Sequence, residues 1–184
     1  MDATQTPAIA IASAEEIAAR LDAYAGLLHA CVHGGASVNF VLPFAMAQAA
    51  AYWSENALPA VLAGTRTVLA ATIAGRLAGS VQLSTQTPPN QPHRAEVTKL
   101  LVHPDFRRRG IARALMLELE ILARRQQRSL LTLDTTTGGA AEPLYAGLGY
   151  VPVGVIPGFS LATTGRGLEA TTVMYKNLGD GITA

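Results

Sequence analysis

The sequence is short of the features that mark several large classes of protein. It has a single cysteine, Cys31, so it cannot form an internal disulfide, and no Cys/His cluster has the spacing of a zinc site. No apolar run reaches the ~20 residues of a membrane-spanning helix, and the N-terminal stretch lacks the basic and apolar segments of a secretion signal. We therefore expect a cytoplasmic protein with no bound metal and no membrane partner.

Charged residues are also scarce, at 15% against 49% hydrophobic residues, and this balance excludes a disordered chain. A chain of 184 residues fits one domain, which we expect to span residues 1–184 as a monomer or a homodimer. The net charge of +1 argues against bulk binding of nucleic acid, but nine of the fourteen Lys and Arg lie between Arg94 and Arg128. This region should form an exposed basic face or an anion site.

The hydrophobic pattern predicts strands and helices in alternation. The N-terminal half is predicted to contain a short strand at Ala8–Ala12, a helix capped by Ser13 and Glu16 that ends near His33, and an alanine-rich helix from Pro43 to about Leu62. A hairpin that turns at Gly75 and Arg76 follows, and then the central strand AEVTKLLVH. The remaining elements are a helix after Gly110 with a Glu120–Arg124 pair, a strand SLLTLDT, a short helix at Glu142–Leu148 and two final strands. The central strand-helix-strand units imply parallel neighbours, and the hairpins imply antiparallel flanks. The expected class is α/β (α+β), a mixed and mostly antiparallel sheet with parallel central strands and helices on both faces.

The stretch PDFRRRGIARALM follows the central strand and opens the best-defined helix. The first N–H groups of a helix have no partners in the helix and carry a partial positive charge, so they attract anions. Gly110 and Ala112 leave those groups accessible, whereas basic side chains at this helix end oppose the dipole unless an anion binds there. A solvated arginine cluster is the alternative. The spacing matches neither a P-loop nor a dinucleotide-binding motif.

The run LLVHPDFRRRGIARALM resembles the acetyl-CoA signature of the GNAT superfamily of N-acetyltransferases, Q/R-x-x-G-x-G/A after a central strand. The resemblance implies that acetyl-CoA is the co-substrate. It also implies a set of cofactor-binding residues: Leu100, Leu101, Val102, Arg107, Arg108, Arg109, Gly110, Ile111, Ala112 and Arg113. The run AEPLYAGLGY resembles a second family motif, which makes Tyr145 the group that protonates the departing thiolate. The alternative is a Tyr145 packed in the core. The family often has Asn where this chain has Gly138, so one hydrogen bond to the cofactor is not expected here.

Acetyl transfer to an amine needs a base, because an ammonium has no lone pair. Glu96 and Asp134 are acids in otherwise apolar strands, and partial burial would raise their pKa values into a useful range. We expect Glu96 to share one strand face with Thr98, Leu100 and Val102. The alternatives are an ion pair of Glu96 with Lys99 or Arg94, and a turn-capping role for Asp134.

Four further segments, HGGASVNF, RAEVTKLLV, LLTLDT and PGFSLATTGRGLEATTVMYKNL, resemble the tabtoxin-resistance branch of the superfamily, which inactivates an amino-acid toxin. Glu96 and Asp134 match the acidic pair implicated there as bases. The resemblance implies antibiotic resistance or detoxification by acetylation of a small-molecule amine, with His33, Gly34, Gly35 and Ser37 on the substrate side. Other acceptors (a protein N-terminus, a polyamine or an aminoglycoside) and a non-catalytic coenzyme A-binding protein stay open. Cys31 is expected to be a buried apolar residue and not a nucleophile.

Overall fold

The computed structural model describes residues 6–179, which form one seven-stranded sheet. The strands are β1 (Ala8–Ala12), β2 (Arg66–Ile73), β3 (Arg76–Ser84), β4 (Arg94–Val102), β5 (Leu130–Thr136), β6 (Val151–Leu161) and β7 (Leu168–Asn177). They lie in the order β1-β2-β3-β4-β5-β7-β6, and within the described residues only β4 and β5 are parallel neighbours. The mostly antiparallel sheet with a parallel central pair is confirmed.

Helices cover both faces of this sheet. They are α1 (Ala14–Ala19), α2 (Leu21–His33), α3 (Met46–Ala51), α4 (Leu58–Leu62), α5 (Ile111–Arg125) and α6 (Glu142–Ala146), and a π-helical segment, Tyr52–Ala57, joins α3 to α4. The predicted first helix is two helices, because the backbone of Arg20 leaves helical geometry at φ −117°. The hairpin turns at Ala74 and Gly75, both with positive φ, one residue earlier than predicted.

Each face of the sheet has its own hydrophobic core. On one face, α5 packs Ile111, Leu115 and Leu119 against alternate residues of the central strands. On the other face, α2 and the α3-to-α4 segment bury Tyr24 and Trp53, whose ring centroids are 4.7 Å apart. Each strand therefore contributes alternate side chains to two separate layers.

A bulge in β4 changes which residues share a face. Ser80 of β3 pairs with Leu101 and Gln82 pairs with Thr98, so β4 has one extra residue there, and Lys99 at that point has φ +50°. Ala95 and Val97 precede the bulge and face α5, but beyond it Leu101 faces α2 while Leu100 and Val102 pack on the α5 side. The expectation that Glu96 and Thr98 share a face with Leu100 and Val102 is therefore wrong.

The predicted Glu120–Arg124 pair is also wrong. Glu120 lies on the buried side of α5, where its Oε2 is 2.7 Å from the Nζ of Lys176 on β7. Lys176 Nζ also donates to the carbonyl oxygen of Leu148, 2.6 Å away, while Arg124 donates to the carbonyl oxygen of Leu178. A buried ion pair thus joins α5 to the far half of the sheet.

We predict that Lys176→Met lowers the free energy of unfolding by about 3 kcal/mol, because it leaves the Glu120 carboxylate buried without its partner. The double variant Glu120→Leu/Lys176→Met should recover most of that loss, since it removes both charges. Urea denaturation measures both values. Arg125→Met on the exposed last turn of α5 is the control, and a Lys176→Met protein as stable as the wild type would contradict the assignment.

Candidate active site

A cavity of about 520 Å³ lies at the start of α5, where the end of β4 meets the end of α2. Its floor is β4 and its far wall is the segment that leads into α6. Its lining is largely aliphatic, with arginine side chains at its rim. The lining residues are Cys31, Ala36, Leu100, Leu101, Val102, Phe106, Arg107, Arg108, Gly110, Ile111, Ala112, Arg113, Ala140, Ala141 and Leu144.

The N-terminus of α5 opens into this cavity. Gly110 is the N-cap in the left-handed conformation, at φ +76°, and no side chain caps the helix. A Cβ built on Gly110 would meet no atom within 4 Å, so the space in front of the first helical N–H groups is open. These N–H groups and the helix dipole are what an anion such as a phosphate requires.

The arginines at this helix end are held by carbonyl oxygens. Arg107 donates to Gly34, Arg109 to Asp105 and Arg113 to Gly147. The carbonyls of Gly34 and Gly147 hold Arg107 and Arg113 at the rim of the cavity. Basic side chains at a helix N-terminus are thereby tolerated although they oppose its dipole.

Nine of the ten predicted cofactor residues line the cavity, and Arg109 does not. Its guanidinium carbon instead lies over the Phe106 ring, 5.4 Å from the ring centre. Cys31 was missed: its side chain is 1% exposed, its Sγ contacts the carbonyl oxygen of Val102 at 3.4 Å, and burial raises its pKa to about 11. It forms part of the wall as a neutral thiol. The Ala140 and Ala141 wall was missed as well, since two alanines in a loop carry no sequence signal.

β4 and β5 separate beside this cavity. Their paired register ends at Glu96 and Thr132, so β4 has no strand partner on that side from residue 97 onwards. Glu96, Thr132 and Asp134 share the face opposite Leu131 and Leu133, which lie in the α5 core. The gap therefore has two carboxylates on one side of the sheet and the cofactor motif on the other.

The two carboxylates differ in their contacts. Asp134 accepts a hydrogen bond of 2.9 Å from the hydroxyl of Thr171, and within residues 6–179 no Lys or Arg nitrogen lies within 4 Å of Glu96. The alternative ion pair of Glu96 with Lys99 or Arg94 is thus absent. Both residues are exposed, so the partial burial expected from the sequence is not observed. They stand at the open end of the gap, accessible to a ligand.

Tyr145 on α6 is buried, with its ring centre 5.8 Å from that of Tyr150. Burial, and secondly the charge of Asp134, raise the pKa of Tyr145 to about 12. The phenol therefore stays protonated at any physiological pH, as a proton donor must. Tyr145 is packed in the core and also lies close enough to Asp134 to feel its charge. A role in core packing and a role as proton donor are therefore compatible.

The predicted substrate-side loop adjoins the cavity. The Nε2 of His33 is 2.9 Å from the carbonyl oxygen of Phe44, and its ring stacks on His29. The carbonyl of Gly34 binds Arg107, Gly35 has φ +82°, and Ser37 is exposed. Ala36, which was not predicted, contributes to the cavity wall. Hydrogen bonds from Thr163 to Ala36 and from Leu42 to Thr163 tie this loop to the β6–β7 connection.

A cationic group that was not predicted faces the two carboxylates. Lys99 Nζ lies 5.8 Å from the ring centre of Phe40 and 5.6 Å from that of Tyr52. Burial is the main cause that lowers the pKa of Lys99 to about 8, followed by the repulsion of Arg66, while Asp134 and Glu96 act in the opposite direction. Lys99, Arg66, Asp134 and Glu96 are thus close enough to interact electrostatically.

Two features are absent from the part of the chain that the structure describes. Residues 6–179 contain no group of three or more His, Cys, Asp or Glu side chains placed to hold a metal ion. Over the same range, no helix has both the length and the apolar character needed to cross a membrane.

Known structures share this fold at low sequence identity. The yncA protein of Salmonella typhimurium, solved with its cofactor acetyl-CoA, is 20% identical, with a TM-score of 0.72 over 97% of this chain and 98% of that one. An N-acetyltransferase of Staphylococcus aureus is 15% identical, with a TM-score of 0.76 over 95% and 99%. A ribosomal-protein-alanine N-acetyltransferase of Brucella melitensis is 22% identical, with a TM-score of 0.73 over 92% and 99%.

The family itself is identified by the sequence. Residues 39–150 match the model of the Acetyltransferase (GNAT) family, which covers more than half of the chain and includes the cavity motif, the β4–β5 gap and Tyr145. The mixed sheet and the open N-terminus of α5 agree with this match. The chain therefore belongs to the GNAT acetyltransferase family.

Proposed function

We propose that this protein transfers the acetyl group of acetyl-CoA to the primary amine of a small molecule, by direct attack in a ternary complex. The observation that carries the proposal is the joining of two sites at the β4–β5 gap. The anion-binding start of α5 opens on one side of the gap, and the Glu96 and Asp134 carboxylates lie on the other.

The residues of the cavity fit coenzyme A. The open N–H groups after Gly110 suit a pyrophosphate, and the aliphatic wall formed by Leu100, Val102 and Leu144 suits a pantetheine arm. The edge of β4 beyond Glu96 offers backbone groups that no neighbouring strand occupies. When bound, acetyl-CoA supplies an activated acetyl thioester, and the protein then has to deliver a neutral amine to it.

Glu96 and Asp134 are the groups that accept the proton of the acceptor ammonium in this proposal. Both are exposed at the gap, and Thr171 fixes the orientation of Asp134. Tyr145 is the proton donor to the leaving sulfur, since its phenol stays protonated and feels the charge of Asp134. Backbone N–H groups of β4 polarise the thioester carbonyl. Cys31 takes no part as a nucleophile, because burial keeps its thiol neutral.

The acceptor we favour is an amino-acid-like antibiotic or toxin of the tabtoxinine-β-lactam type. Its support is the resemblance of four segments outside the cofactor motif to the tabtoxin-resistance acetyltransferases. The cations Lys99 and Arg66 beside the carboxylates disfavour polyamines and aminoglycosides, which carry several positive charges. A panel of amines assayed by coenzyme A release tests the acceptor class.

We predict that Gly110→Leu and Ala112→Glu each weaken acetyl-CoA binding by about 100-fold or more, because a side chain then occupies the space in front of the helical N–H groups. Ala112 has helical geometry, so its replacement adds no left-handed strain. Calorimetric titration with acetyl-CoA measures the affinity. Leu117→Glu, on the exposed side of the same helix, should bind normally. Unchanged affinity in both cavity variants would contradict the proposed cofactor site.

We predict that Tyr145→Phe lowers kcat by about 10² to 10⁴ with little change in the Kd of acetyl-CoA, because it removes the proton donor and keeps the packing. A pKa of about 12 for Tyr145 places its deprotonation above the assay range. Wild-type kcat should therefore show no fall from this group between about pH 8 and 10, where an ordinary tyrosine begins to ionise. An equal kcat for the two proteins would exclude the role.

We predict that Glu96→Gln and Asp134→Asn each reduce kcat at neutral pH by about tenfold or more, since each removes one proton acceptor. A larger loss in one variant identifies the main base. The loss should shrink as pH rises, because more of the acceptor amine is then already neutral. Circular dichroism and acetyl-CoA affinity serve as controls for folding. Full activity in both variants would show that neither carboxylate is the base.

A further inference from the structure

Three side chains that carry hydrogen-bond donors surround Tyr52, at the start of the π-helical segment. Its hydroxyl donates to Gln82 Oε1 at 2.9 Å and accepts from Arg66 Nη1 at 3.4 Å. The Nζ of Lys99 lies 5.6 Å from the centre of its ring. Tyr52 therefore contacts or adjoins three groups that can donate hydrogen bonds.

Two of these three groups have a buried donor without a partner. The Nε2 of Gln82 is buried without a partner, in a side chain that is 0% exposed. The Nε of Arg66 is likewise buried without a partner, and its Nη1 is held by the neutral oxygen of Asn56. Among residues 6–179, no carboxylate oxygen lies within 4 Å of the Lys99 or Arg66 nitrogens.

The arrangement is costly without a ligand. Two partly buried cations lie near each other, and Arg66 is the charged group that acts most strongly on Lys99, ahead of Asp134 and Glu96. Buried donors without acceptors cost about 1–3 kcal/mol each. Lys99 is, in addition, held at positive φ in the β4 bulge, a conformation that non-glycine residues adopt rarely and often at functional sites. Arg66 Nε thus lacks an acceptor, and the neighbouring Lys99 ammonium has no carboxylate within 4 Å in the described residues.

We propose that the acceptor molecule carries a carboxylate as well as its amine, and that Lys99 and Arg66, which both adjoin Tyr52, bind that carboxylate, while the buried Gln82 orients the Tyr52 hydroxyl. This inference rests on the proposed amine acetylation, and it defines the acceptor as a free amino acid or a close analogue. The amine end then points to Glu96 and Asp134, which lie on the same face of the sheet. The two charged ends of such an acceptor match the two charged halves of the cleft.

The direct test uses the fact that the chain has only two lysines, Lys99 and Lys176. In protein labelled with ¹³Cε-lysine, two signals are expected, and Lys99→Arg assigns them by removing one. The probes are the common α-amino acids, each paired with its α-carboxamide, added with coenzyme A so that no turnover occurs. Lys176, held by Glu120, is the internal control.

At least one amino acid should shift the Lys99 signal and raise the pH at which it titrates above about 8, because an anion stabilises the ammonium. Its carboxamide should not do so, and the Lys176 signal should stay in place. If no acid moves the Lys99 signal, or if acid and carboxamide move it alike, the carboxylate site is wrong.

Steady-state kinetics add a second readout. We expect the wild type to prefer the best amino acid over its carboxamide by about tenfold or more in kcat/KM, the effect of one charge-assisted hydrogen bond. Lys99→Met, which keeps the stem on the aromatic rings, should remove that preference mainly through KM, and Lys99→Arg should restore it. Arg125→Met should behave as wild type. If Lys99→Met lowers kcat equally for acid and carboxamide, Lys99 acts in the chemistry and the proposal is overturned.

The two levels of proposal fail separately. Turnover of amines without any shift of the Lys99 signal would refute the carboxylate site and leave amine acetylation standing. A shift of that signal by acids, with no release of coenzyme A from acetyl-CoA for any amine, would refute the acetylation and leave the carboxylate site standing.

Discussion

The separation of β4 from β5 beyond Glu96 is the constraint on which the rest of the site depends. A continuous parallel ladder would satisfy every backbone group of β4 and leave nothing for a ligand to bind. The early end of the pairing frees the backbone edge of β4. The bulge at Lys99 then reverses which face of the sheet the side chains of the following residues occupy. As a result, Leu100 and Val102 face the start of α5, while Glu96 and Lys99 lie on the α2 side.

Two residues with left-handed backbone geometry hold this arrangement, and each has a different support. Gly110 takes its left-handed conformation at little cost because it has no Cβ. Lys99 takes a similar one as an L-residue, supported by the pairing of β3 with both ends of the bulge and by the Phe40 and Tyr52 rings that cover its side chain. Left-handed backbone geometry thus occurs at Gly110, where the cofactor motif leads into α5, and at Lys99, the cation beside Tyr52.

The parts of the molecule governed by local chemistry could be predicted from the sequence. Strand periodicity, the Gly75 turn and the amphipathic α5 gave the correct order of elements, and the motif around Gly110 located the cavity. The bulge could not be predicted, because Lys99 carries no bulge signature and the extra residue is defined only by the register against β3. Glu120 was misplaced for a related reason: helical spacing allows its pair with Arg124, but the opposing Lys176 comes from a distant strand.

The basic charge of this protein is carried almost wholly by arginine, since only two of its fourteen Lys and Arg residues are lysines. Neither lysine is exposed: Lys176 is held in its ion pair with Glu120 and Lys99 is partly covered by aromatic rings. Guanidinium groups keep their proton, whereas lysine amines lose theirs more readily and are the usual targets of acetylation. Residues 6–179 of this acetyltransferase-family protein therefore present no exposed lysine amine to a nearby thioester.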